Sequence, residues 1–158
     1  MIGRAEINRL KQKLDATFSR VDSAGDNLEL KSDFAKYLCI LVSGYLEKSL
    51  VEIVQDHARR CGAPTLQRFV EQQTKRFTNA NSHKILELLG SFNQDWRNQV
   101  DKFLKDDLKD AIDSIVALRN AIAHGNSVGL TYQRISDYYR RVQTVIEKIA
   151  DLCTPIEK

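Results

Sequence analysis

Proline and glycine are scarce in this sequence, at 2 and 7 of 158 residues. So few chain breakers argue against a strand-rich fold with many tight turns, and favour helices. Cysteine is also sparse. Cys39, Cys61 and Cys153 are odd in number and show no Cys-x-x-Cys spacing, which argues against a disulfide framework and against a zinc site. His57 and Cys61 stand four apart, but two ligands do not make a metal site. No metal and no cofactor is expected. Long apolar runs are missing: nothing approaches the ~18 residues that span a bilayer. Met1 to Lys11 is polar and charged, unlike a signal peptide. The expectation is a cytoplasmic protein with no membrane partner. Repeats and low-complexity tracts are absent too. With 42% hydrophobic and 28% charged residues, the composition is that of a folded domain rather than a disordered chain, and the length suits a single domain over 1–158 with one core.

What is present is helical periodicity. Ile7, Leu10, Leu14 and Phe18 recur at three or four residues and predict a first helix from about Arg4 to Val21. Asp22 to Asn27, with Gly25, breaks it. A long second helix is expected from about Ser32 to Arg60, ended by Gly62, with Pro64 in the first turn of the next. The middle reads as short helices. One carries Leu66, Phe69 and Val70 up to about Thr78. The next starts with Ser82 as its cap and closes near Gly90. Another surrounds Trp96, Val100 and Phe103. A fifth main segment begins at Asp106-Asp107, where acidic side chains suit a helix N-terminus, and stops near His124-Gly125. Thr131 caps a last helix that ends at Thr154-Pro155. The expected fold is all-α, an up-and-down bundle with a small helical insert.

The net charge of +3 permits nucleic-acid binding without demanding it. Arg59-Arg60, Lys75-Arg76 and Arg140-Arg141 read as solvated helix faces. Tyr138 and Tyr139 suit core packing better than base stacking.

The chemically pointed segment is Arg119-Asn120-Ala121-Ile122-Ala123-His124. Asn120 and His124 are four apart and share a helix face. Arg119 and His124 are five apart and diverge by about 140° at the helical twist. One ideal helix therefore does not aim both at one phosphate. Either His124 lies where the helix unwinds before Gly125, or two chains converge. A helix C-terminus favours a protonated imidazole, and histidine exchanges its proton near neutral pH. Arginine is permanently charged and its planar fork matches phosphate oxygens. Asn120 is placed to orient the imidazole. A proton-transferring His, a phosphate-binding Arg and an orienting amide are the parts needed to cut RNA without a metal. A histidine before glycine is also a common helix cap with a favourable charge.

The segment resembles the signature of the HEPN superfamily, an Arg, a polar residue, and a His four to six positions after the Arg. Here four residues intervene, late in a helical chain. The resemblance spans roughly Phe34 to Ile149 and points to the RiboL-PSP group. It implies an all-α homodimer with both motif helices at a shared cleft, metal-independent cleavage of RNA to 2′,3′-cyclic phosphate ends, and Arg119, Asn120 and His124 as catalytic residues. It further implies a role as a toxin or antiphage effector, bound by an antitoxin or other regulatory protein. Glu47, within Ser43-Gly44-Tyr45-Leu46-Glu47, is a supporting candidate that would pair with Arg119; it reads equally well as a surface residue beside Lys48. The alternative function is a catalytically silent HEPN domain that scaffolds RNA, nucleotide or protein. A plain helical dimerisation module, with His124 only a cap, is the third.

Overall fold

The computed structural model describes residues 2–154. Among them lie seven helices and no strand: α1 (Ile2–Asp22), α2 (Leu28–Cys61), α3 (Pro64–Thr74), α4 (Ser82–Phe92), α5 (Gln94–Phe103), α6 (Asp106–Ala123) and α7 (Tyr132–Cys153). The all-α expectation stands, with α3 to α5 as the insert. Helix α2 is the central member and packs against α1, α3, α6 and α7. Its apolar residues face several neighbours at once, so it is buried along most of its length. Leu38, Leu46, Leu50 and Ile53 on α2 meet Ile112 and Ile115 of α6 and Ile135, Ile146 and Ile149 of α7 in one core, all but fully shielded from water. Each such side chain contributes about 1.5–3 kcal/mol by leaving water. Tyr138 and Tyr139 are both buried there. Tyr139 stacks on Phe18 at 4.6 Å and donates to Asp15 Oδ1 at 2.6 Å.

Side-chain contacts fix the helix directions. Lys31 lies over the Tyr132 ring, Tyr45 meets Tyr139 edge-on, and Arg60 donates to the Cys153 carbonyl. Helix α7 therefore runs parallel to α2. The eight-residue link 124–131 turns the chain back, so α6 runs antiparallel to both, and Cys39 on α2 meets the Ile115 carbonyl of α6.

Several boundaries differ from the sequence reading. Helix α2 starts at Leu28, four residues early, because the Asn27 side chain accepts from Leu30 N–H. Leu28 and Leu30 lie off the buried apolar face of α2 and are exposed, so the core periodicity missed them. Helix α4 is capped by Asn81 rather than Ser82; the Ser82 N–H and hydroxyl donate to Asp113 instead, at 2.8 and 3.0 Å. Gly90 does not close α4, which continues to Phe92. It lies where Arg97 crosses, and a Cβ there would meet Arg97 Cδ at 2.9 Å.

Candidate active site

Helix α6 delivers the motif. Asp106 and Asp107 open it, and its buried face, with Ala111, Ile112 and Ile115, locks it onto α2 and α7. Its end is a Schellman turn. Gly125 adopts φ +75° and donates to the Ile122 carbonyl at 3.0 Å, and Asn126 N–H donates to the Ala121 carbonyl at 2.9 Å. His124 is the C-cap residue, with φ −88° and ψ 6°, and its N–H donates to the Asn120 carbonyl. These bonds satisfy the last carbonyls and hold the His124 backbone at a fixed point of the helix end. Its side chain is exposed.

Arg119 and Asn120 are half-buried one turn earlier. Arg119 Nη1 donates to Asn120 Oδ1 at 3.3 Å. The amide thus orients the guanidinium, not the imidazole as the spacing suggested. Within one chain Arg119 and Asn120 pair, while His124 makes no side-chain hydrogen bond among the described residues.

Glu47 is not a partner of Arg119. Its Oε1 accepts from Asn79 N–H at 2.9 Å, holding the link between α3 and α4, where Asn79 has φ 55°. The antiparallel register explains the separation. From the Cys39–Ile115 contact, Arg119 lies toward the start of α2 and Glu47 lies two turns toward its end.

Beside the motif, α6 and the first turn of α4 enclose a shallow groove of about 420 Å³, with Asn120, Val116 and Ala117 on one side and Asn81 and His83 on the other. His83 is highly exposed and faces Glu87 at 3.7 Å. Nothing in the sequence spacing could reveal this groove, because it arises from the Asp113–Ser82 bonds between distant segments. A larger, mostly apolar cleft of about 690 Å³ lies between the end of α2, α3 and α4, bordered by Cys61, Phe69, Phe77 and Phe92. It contains none of the motif residues. There His57 Nδ1 lies 3.8 Å from Cys61 Sγ and the His57 ring meets Trp96 edge-on. Burial lowers the His57 pKa, assisted by Arg60 and opposed by Asp56. Burial pushes the Cys39 and Cys153 thiols up to about 12, so neither serves as a nucleophile at neutral pH. Among the described residues no three His, Cys, Asp or Glu side chains gather closely enough to hold a metal ion.

A comparison with protein families matches the RiboL-PSP-HEPN model over residues 4–155. The chain belongs to the RiboL-PSP-HEPN family. The match covers α1 as well, beyond the Phe34–Ile149 span of the sequence resemblance. No curated protein and no solved structure matches the chain. HEPN domains are often ribonucleases and commonly bind RNA and dimerise. No helix of the described residues is long and apolar enough to cross a membrane.

Proposed function

We propose that this HEPN domain is a metal-independent endoribonuclease working as a homodimer. The observation that carries the reading is an exposed His124 at a capped helix end, one turn from a guanidinium that Asn120 holds in place. In the reaction the 2′-hydroxyl oxygen attacks the adjacent phosphorus and the P–O5′ bond breaks. One imidazole removes the 2′ proton and a protonated imidazole delivers one to the departing 5′ oxygen, each step worth ~10²–10⁴-fold. Arg119 stabilises the charge that builds on the phosphoryl oxygens. The products are a 2′,3′-cyclic phosphate and a 5′-hydroxyl.

A second copy supplies the second imidazole and removes the divergence of Arg119 and His124 along one helix. An exposed apolar stripe supports that assembly. Tyr37 and Ile40 on α2 are 52% and 43% exposed, and Leu30 continues them by helical period. The antiparallel register brings Arg119, one turn beyond Ile115, level with Ala35 and Lys36 on α2, at the same height along the bundle as this stripe. Asp33 and Lys36 lie beside it with opposite charges one turn apart, which lets two antiparallel copies of α2 face each other without like-charge repulsion. By the family resemblance the domain acts as a toxin or antiphage effector controlled by a bound antitoxin or regulatory protein.

The test is incubation of purified protein with mixed-sequence RNA in EDTA, wild type beside His124→Ala, with product ends identified. Cleavage by the wild type alone, leaving cyclic phosphate, is expected. Cleavage that needs an added divalent metal would overturn the mechanism, and no cleavage by an intact dimer would leave a silent binding module.

A further inference from the structure

The groove beside the motif has a definite hydrogen-bonding character. Beside Asn120 on the groove's α6 side, Val116 and Ala117 are apolar. Its two asparagine amides are both oriented by neighbours: Asn81 Oδ1 accepts from Lys84 N–H at 2.9 Å, and Asn120 Oδ1 accepts from Arg119 at 3.3 Å. An amide whose oxygen is engaged keeps its NH₂ group to donate. The carboxylate at the groove, Asp113, directs one oxygen to the Ser82 N–H and the other to the Ser82 hydroxyl. The groove therefore has an amide donor on each wall, with the Asp113 carboxylate, bonded to Ser82, between them. The imidazole of His83, 81% exposed, stands at its mouth as a face on which a planar ring can stack.

We propose that this groove is the base-binding subsite for the nucleotide next to the phosphate that Arg119 binds, and that it selects a base with carbonyl acceptors on its pairing edge, uracil over adenine. Asn120 joins the two functions, since it lines the groove and holds Arg119. Asn81 and His83 lie outside the catalytic set; Asn81 determines which base is preferred, and His83 adds stacking to either. The inference rests on RNA being the ligand of the domain, but not on cleavage.

The experiment measures binding of fluorescent hexamers of 2′-O-methyl uridine and 2′-O-methyl adenosine to the full chain in EDTA. The 2′-O-methyl group removes the nucleophile, so turnover does not interfere. The wild type is expected to prefer the uridine hexamer by about fivefold, the worth of one neutral hydrogen bond. Asn81→Asp keeps the cap to Lys84 N–H and the side-chain shape but replaces the donor with an acceptor. It should abolish the preference while Tm stays unchanged. The ratio is the readout, because the added negative charge weakens both hexamers. His83→Ala should weaken both alike. Equal binding of the two hexamers by the wild type, or an unchanged ratio in Asn81→Asp, would overturn the subsite. Failure to bind either hexamer by protein that still cleaves long RNA would also overturn the subsite alone. Failure of both binding and cleavage would remove the RNA reading with it. A preserved preference without cleavage would support the groove and reject the nuclease.

Discussion

Replacing Gly125 isolates the device that ends the motif helix. The residue adopts φ +75°, and a Cβ built there meets no atom within 4 Å. Gly125→Ala therefore introduces no clash, and its whole cost is conformational. Holding an L-residue in the left-handed region costs about 1–2 kcal/mol, and the stiffer unfolded chain returns about 0.4–1 kcal/mol of that. The net loss is about 1 kcal/mol, which for a domain of this size lowers Tm by roughly 2–4 °C. Asparagine enters the left-handed region more readily, so Gly125→Asn should cost less than half as much. Urea titration of the three proteins, with thermal melts beside it, checks the ranking. Equal stability of Gly125→Ala and wild type would refute the reasoning, and so would an asparagine variant as unstable as the alanine one. In either case the positive φ would not be what constrains this turn.

Two further outcomes follow from surface and burial. Ile40→Asp places a charge on the exposed stripe of α2, where the folded monomer loses little, within about 0.5 kcal/mol; light scattering should show a dimer for wild type and a monomer for the variant, with cleavage lost and the helical circular-dichroism signal kept. The folded pKa of His57 lies below its ordinary value of 6.5, so the unfolded chain takes up its proton first as pH falls. The stability this residue contributes is complete above pH 6.5 and is lost as pH drops through the lowered value; His57→Gln should flatten the fall in Tm below pH 6.5, and an equally steep fall in the variant would reject the assignment.

The helical architecture was legible because apolar spacing is a direct record of burial. Ile7, Leu14 and Phe18 report the buried face of α1, and Ile112 and Ile115 that of α6. The end of α6 was legible from Gly125, since few residues other than glycine take positive φ at a helix end. Adjacent residues of one chemical type defeated the reading elsewhere. Asn81 and Ser82 both cap helices well, and only the distant Asp113, which engages Ser82, decides between them. Gly90 looked like a terminator and is instead a point of close approach for Arg97. Glu47 could not be assigned a partner from sequence, because the N–H it accepts from belongs to a link whose path depends on how α3 and α4 dock. The groove beside Asn120 was invisible for the same reason.

At the pole of the bundle away from the motif, Asp56 is 3% exposed. It accepts from Gly3 N–H and pairs with Arg59 and Arg60. Arg60 reaches the Cys153 carbonyl, and Arg4 reaches Asp151 and the Thr154 carbonyl. This knot draws residues 4 and 154 together, and the 22-residue α7 separates them from His124 by about 30 Å at 1.5 Å per residue. Residues 4 and 154 therefore both lie at that pole. A tethered fluorophore or fusion partner there reports on the protein without crowding the motif, and a short linker across the knot would allow new ends to be opened in the loop 126–129 instead.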